Sequence, residues 1–155
     1  MAPNSNCPSE ALIRTGIFSV LIDTNVWSEL SKVRPDQNVN DFISSRFEVA
    51  WLSALVLGEI RYGIARLTDA TRRERLVTWF DDLTFRLEER TLNFDANAAR
   101  AYAHVKARLA AAGTMVAELD MLIAAQAIAA DMPLVTRNLS DMGRTGATII
   151  NPWQP

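Results

Sequence analysis

Four acidic residues carry the chemistry that this sequence can be asked to do. Asp23 ends the apolar run Gly16-Ile17-Phe18-Ser19-Val20-Leu21-Ile22 and is followed at once by Thr24 and Asn25. Such a run, rich in β-branched and aromatic residues, predicts a strand buried on both faces, as parallel sheets use. Ligands of open α/β sheets bind beyond the carboxyl ends of the strands, which puts Asp23 in that crevice. Thr24 or Asn25 is then expected to cap the next helix. Taken alone, Asp23 reads as an N-cap itself; the other acids change that.

Glu59 has Leu55, Val56, Tyr62 and Gly63 three and four positions away, so on a helix it shares a face with apolar residues. A carboxylate there is costly unless paired, protonated or bound to a cation, and an ion pair with an arginine is the alternative to a functional role. Asp120 repeats the anomaly among Val116, Ala117, Ile123 and Ala124, in a helix that is apolar nearly all round. The helix dipole would favour an acid in that first turn, but Glu118 or Thr114 can serve it from a solvated position. Buried acids cluster at working sites. A further polar group, Thr136-Arg137-Asn138-Leu139-Ser140-Asp141, follows another predicted strand and therefore falls on the same rim as Asp23.

Carboxylates that share one crevice repel, and three are hard to keep ionised without a cation. Oxygen ligands without His or Cys select a hard ion, Mg²⁺ or Mn²⁺. Such an ion suits phosphoryl chemistry, because it activates water, polarises a phosphodiester and stabilises the leaving oxygen. No other nucleophile is well placed. Cys7 lies near the N-terminus, His104 belongs to a surface-facing helix stretch, and the sequence has no glycine-rich phosphate loop.

The elements that must position these acids alternate. Helical spacing is expected for Val26–Leu30 and Asp36–Phe47, with a turn at Arg34-Pro35-Asp36. Glu48–Leu52 predicts a second strand, Ser53 an N-cap and Ala54–Leu67 a helix. After a break at 68–71, Arg72–Leu87 is amphipathic through Leu76, Trp79, Phe80 and Leu83. Thr91–Phe94 predicts a third strand, Asp95 a cap, and Ala96–Ala112 a helix that Gly113 ends. Glu118–Ala130 is helical, Pro133–Thr136 a fourth strand and Thr148–Ile150 a last one. Short strands alternating with helices define an α/β fold with a mostly parallel sheet.

Composition narrows the class. The 155 residues predict one domain, 16–155, behind a flexible tail, 1–15, in which Pro3, Asn4, Ser5, Asn6 and Pro8 accumulate. With 49% hydrophobic and 22% charged residues the sequence is an ordinary globular one. One cysteine excludes an internal disulfide framework, and one His with one Cys excludes a structural zinc site. No apolar stretch approaches the ~20 residues of a membrane span, and the N-terminus lacks the pattern of a secretory signal. A net charge of −2 argues against a protein that simply coats nucleic acid, but not against a nuclease.

Four motifs in this order resemble the PIN domain, and within it the VapC-type toxin nucleases of the FitB-like branch. They are Leu21-Ile22-Asp23-Thr24-Asn25; Leu52-Ser53 through Gly58-Glu59-Ile60-Arg61-Tyr62-Gly63; Asp120 with Leu122-Ile123-Ala124-Ala125-Gln126-Ala127; and Leu134-Val135-Thr136-Arg137-Asn138. The closing Ile150-Asn151-Pro152-Trp153 also resembles that branch. The resemblance implies a three-layer α/β/α fold and a metal-dependent endoribonuclease, with Asp23, Glu59 and Asp120 as the metal site for Mg²⁺ or Mn²⁺. Thr24, Asn25, Thr136, Arg137 and Asn138 then support that site or the substrate. An acid often follows the Thr-Arg pair in that family; here the position is Asn138, and Asp141 stands a few residues on, where related sequences carry the acid. The resemblance further implies an RNA substrate, a VapB-type antitoxin that binds operator DNA, a homodimer, and a bacterial or archaeal cytoplasm. An antitoxin Arg or Lys is expected to enter the acidic crevice while its apolar residues pack near Tyr62, Trp51 or Trp27.

Two other functions compete. A phosphatase of the haloacid-dehalogenase type would use Asp23 as nucleophile, but it wants a second Asp where Asn25 stands, and no lysine follows Ala112. A non-catalytic binding module has no need of Asp23, Glu59 and Asp120 together. Arg61, Arg66, Arg72, Arg73 and Arg75 either flank the crevice or form a solvated helix face.

Overall fold

Val20, Leu21 and Ile22 form β1 (Val20–Ile22), and all three are fully buried, as a strand covered on both faces requires. The computed structural model describes residues 18–154, so the expected tail, Cys7 and the first residues of the opening run lie outside the described residues. With β2 (Ala50–Ser53), β3 (Thr91–Leu92), β4 (Leu134–Val135) and β5 (Ile149–Ile150), β1 builds an all-parallel five-stranded sheet in the order β3-β2-β1-β4-β5. Leu21 pairs with Trp51 of β2 on one side and Leu134 of β4 on the other. The chain winds outward from β1 to β3, then crosses back to β4. The β1–β4 boundary is therefore the topological switch point, where crevices form.

Seven helices among the described residues cover both faces of the sheet in three α/β/α layers: α1 (Thr24–Leu30), α2 (Gln37–Arg46), α3 (Ala54–Ala65), α4 (Ala70–Arg86), α5 (Ala96–Ala111), α6 (Glu118–Ala129) and α7 (Leu139–Arg144). Asp23, Asp36, Ser53, Asp69, Asp95 and Asn138 each cap one of them by accepting backbone N–H groups. Helix α6 alone starts without a side-chain cap, carrying Glu118 and Asp120 in its first turn. At the far end of α5, Gly113 takes φ +63, a left-handed conformation that glycine adopts without steric cost, and the helix stops there as expected. No described helix is long and apolar enough to cross a membrane.

Several expected boundaries are corrected. Asp23, not Thr24 or Asn25, caps α1, and Thr24 is the first helical residue. Asp69 as cap starts α4 at Ala70 rather than Arg72. Residues Phe47–Val49 form a 3₁₀ turn that delays β2 to Ala50, and β3 ends at Leu92. Residues 139–144, expected as loop, form α7; six residues with Gly143 inside are too short to display a helical period.

One buried polar residue ties the sheet to α6. Gln126 is 1% exposed; its Oε1 accepts from Ser53 Oγ at 2.5 Å and its Nε2 donates to the Leu92 carbonyl at 3.0 Å. It thereby joins the ends of β2 and β3 to the helix that carries Asp120. Leucine at this position keeps the apolar contacts but orphans a hydroxyl and a carbonyl. Gln126→Leu is expected to lower unfolding stability by about 1–3 kcal/mol, read from the urea midpoint at constant slope.

Candidate active site

The acids arrive on separate elements at the carboxyl end of the sheet. Asp23 follows β1, Glu59 lies in α3 beyond β2, Asp120 is in the first turn of α6, and Asp141 is in α7 beyond β4. Asp23 is 5% exposed, whereas Glu59, Asp120 and Asp141 are half-buried.

Each carboxylate is held by neutral partners. Asp23 Oδ1 accepts from Thr24 N at 2.7 Å, and its Oδ2 accepts from Thr136 Oγ1 and Asn25 Nδ2, both at 2.7 Å. Asn25 Nδ2 also reaches Thr136 Oγ1, while Asn25 Oδ1 accepts from Arg137 N at 3.1 Å. This web links the loops after β1 and β4. The Thr24 hydroxyl donates to Glu59 Oε2. Asn138 Nδ2 donates to Asp120 Oδ2 at 3.2 Å and is 3.5 Å from Asp141 Oδ2. Its Oδ1 faces the other way, accepting from Asp141 N at the start of α7. Asn138 therefore turns donors toward the acids and spends its acceptor on the helix.

The electrostatics follow from this geometry. Burial pushes the Asp23 carboxyl above its ordinary value; bonds from Thr136, Thr24 N–H and Asn25 oppose the rise, and the negative charge of Glu59 adds to it. Burial likewise raises Asp120, followed by the charges of Asp23, Asp141 and Glu59, with the Asn138 bond opposing. Asp120 thus senses three other acids, and Asp23 senses Glu59.

This donor set, all oxygen and mutually repelling, fits a hard divalent cation in its chemistry. The expected cage is not preassembled: among the described residues no three His, Cys, Asp or Glu side chains are gathered closely enough to hold an ion. Each carboxylate is instead tied to its own Thr or Asn. Mg²⁺ keeps several waters and takes one or two carboxylates directly, so it does not need a closed cage.

Other expectations divide. Thr24, Asn25, Thr136 and Asn138 all touch the acids, but Arg137 contributes its backbone N–H while its guanidinium lies 5.3 Å from the Trp153 ring centroid. Trp27, expected to offer docking surface, is fully buried in the core, and Trp51 packs partly buried against it; Tyr62 is 64% exposed. Among the arginines, Arg61 pairs with Asp81 at 2.5 Å, Arg66 sits over Tyr62, and Arg73 reaches the Leu67 carbonyl. Only Arg72 and Arg75 line a groove beside Glu59. The role of Gln126 was not legible beforehand; its one signal was an amide inside an otherwise apolar helix.

Comparison with known proteins agrees with the fold. The PIN domain family model matches residues 20–145, and the chain belongs to that family. A VapC ribonuclease, Y4jK of Sinorhizobium fredii, is 36% identical over 138 residues, covering 88% of this chain and 99% of the relative. The crystal structure of FitAcB from Neisseria gonorrhoeae superposes with TM-score 0.83 at 28% identity, covering 88% of this chain and 99% of that one. DNA-bound VapBC from Salmonella typhimurium gives 0.77 at 26% identity, with 88% and 99% covered.

The raised Asp120 value has a thermodynamic consequence. A carboxyl with a higher value folded than unfolded binds its proton more readily in the native state. Its effect on stability therefore turns unfavourable as pH rises above the ordinary value of 3.8. In chelator at neutral pH, Asp120→Asn is expected to unfold at higher temperature than the parent. The gap should shrink as pH is lowered through the carboxyl range, which calorimetry at several pH values would register.

Proposed function

We propose that this chain is a metal-dependent endoribonuclease that acts as the toxin of a toxin–antitoxin pair. The observation that carries the proposal is the arrival of Asp23, Glu59, Asp120 and Asp141, from separate elements, at the carboxyl end of a parallel sheet with its switch point at β1–β4. Asp23, Glu59 and Asp120 would hold Mg²⁺ or Mn²⁺, and Asp141 would supply the fourth acidic group. A bound ion of this kind would activate water and stabilise charge on the phosphodiester. The chain's own residues keep the acids in place: Thr136 and Asn25 pin Asp23, Thr24 orients Glu59, and the Asn138 amide restrains Asp120 beside Asp141. Asn138 is the weaker candidate for the fourth ligand because an amide carries no charge and its oxygen already caps α7. The ribonuclease name of the relative Y4jK supports the choice of RNA.

The same proposal includes a VapB-type antitoxin, with operator DNA bound through that partner, a homodimer, and a cytoplasmic setting. The DNA-bound VapBC assembly supports the first two. An Arg or Lys from the antitoxin that enters the acid rim would compete with the metal ion, one cation replacing another.

In a single-turnover assay with Mg²⁺, Asp23→Asn and Asp120→Asn are expected to lose RNA cleavage by about 100-fold or more. This exceeds the ~10–100-fold typical of disturbing a supporting residue. Chelator should silence the parent, and Asp141→Ala should weaken metal-dependent cleavage more than Asn138→Ala; the opposite ranking would give Asn138 the larger role. Coexpression with the neighbouring reading frame should yield a complex whose ribonuclease activity is suppressed and partly returns as Mg²⁺ is raised. Full activity in that complex would count against the toxin assignment.

A further inference from the structure

Beside the acid rim lies a groove of about 450 Å³ between α1, α3 and α4, with Thr24 and Glu59 among its lining residues. Helix α1 measures its length. Thr24 at the first turn holds Glu59, and the Ser31 carbonyl at the other end accepts from Arg75 Nη1 at 3.0 Å, about 10 Å further along at 1.5 Å per residue. The floor between is apolar: Ile60, Ile64 and Leu76 are nearly buried, and Trp79 forms part of the wall. Helix α4 brings Arg72, Arg75, Leu76 and Trp79 to the groove on one stripe, at helical spacing.

Two features of this groove bear on what it can hold. The first is charge. Among the described residues Arg72 and Arg75 form no ion pair, and the one bond of Arg75 is to a carbonyl, whereas Lys32 and Arg61 each stand 2.5 Å from a carboxylate. The second is Gly63, inside α3 one turn beyond Glu59 and on the groove wall. Glycine weakens a helix interior relative to alanine. Its φ is not left-handed, and a Cβ added there meets no atom within 4 Å, so nothing in the fold requires it. It leaves open space on the wall of a groove whose far lip is positive.

We propose that this groove is a nucleotide subsite, which takes the nucleotide flanking the cleaved phosphodiester of a single-stranded RNA. The base lies on the apolar floor against Gly63 and Trp79, and its phosphate meets Arg72 and Arg75. This inference rests on the ribonuclease function proposed above. Unpaired bases stack on aromatic side chains largely irrespective of sequence, and guanidinium groups bind phosphate through paired donors. An apolar helix laid in the groove would leave the two guanidinium groups unmatched; an anionic backbone satisfies them. The acids of the rim repel phosphate unless a cation is present, so the arginines hold the strand where the rim does not.

Binding of a short fluorescent single-stranded RNA of mixed sequence, measured in chelator so that nothing is cleaved, separates this inference from the ribonuclease function. Gly63→Leu is expected to weaken binding roughly tenfold while unfolding at the same or a higher temperature. Replacing Arg72 and Arg75 together by Ala should lower the slope of log affinity against log salt by about 1.4, at about 0.7 per phosphate contact. Quenching of tryptophan fluorescence by RNA should largely disappear in Trp79→Phe. Parental affinity in Gly63→Leu with an unchanged salt slope in the arginine variant would overturn the subsite, and persistent Mg²⁺-dependent cleavage would then leave the ribonuclease function standing. RNA bound in the groove but not cleaved under any metal would do the reverse. A Gly63→Leu protein that binds RNA normally but no longer binds the antitoxin would overturn the subsite and assign the groove to the protein partner.

Discussion

The rim depends on polar partners for the Asp23 carboxyl at a place where the fold has buried it. Burial raises its pKa, because the charged form loses its hydration. Three donors oppose that loss: the Thr24 N–H, the Thr136 hydroxyl and the Asn25 amide. They come from both sides of the β1–β4 boundary. The order of the sheet and the charge of one side chain are therefore a single structural problem. Thr136 is itself fully buried, and its hydroxyl is useful only because β4 runs parallel to and in register with β1.

The same arrangement recurs with less burial at the other acids. Thr24 serves Glu59 and Asn138 serves Asp120, so each carboxylate has a neutral polar partner and none has a cation among the described salt bridges. Ion pairs with the nearby arginines would have stabilised the fold more simply. Instead Arg61 turns to Asp81 and Arg137 to Trp153, while Arg72 and Arg75 line the groove that Thr24 and Glu59 also line, Arg75 reaching the Ser31 carbonyl about 10 Å beyond Thr24 along α1. Negative and positive charge are kept apart along one surface path. That separation suits a ligand with alternating needs, a phosphodiester to be attacked at one end and a backbone phosphate to be held at the other. The interior is held by β1, the Gln126 clamp and the apolar faces of α3, α4 and α6.

Much of the fold was legible in the residues. Strand β1 was readable because three consecutive apolar residues ending on Asp-Thr-Asn leave little else to do, and Ser53 and Asp95 announced the helices they cap. Glu59 and Asp120 stood out because helical spacing set them among apolar neighbours, and that periodicity survives without any knowledge of tertiary contacts. Local geometry of this kind depends on residues close in the chain, so the sequence by itself determined the element types, their order and which acids are out of place.

Only the tertiary structure decided what those acids touch. Asn138 stands where the family often has an acid, yet folding turns its oxygen into the start of α7 and its amide toward Asp120, a choice set by a short helix without a visible period. Trp27, expected to offer docking surface, points from α1 into the core. Five arginines of similar local context separate into two that line a groove and three that pair or stack elsewhere, because partners such as Asp81 and the Ser31 carbonyl lie 20 and 44 residues distant in the chain. Such contacts carry no periodic signal. They exist only once the sheet has brought the carboxyl ends of its strands to one edge, where charges remote in sequence must share one field.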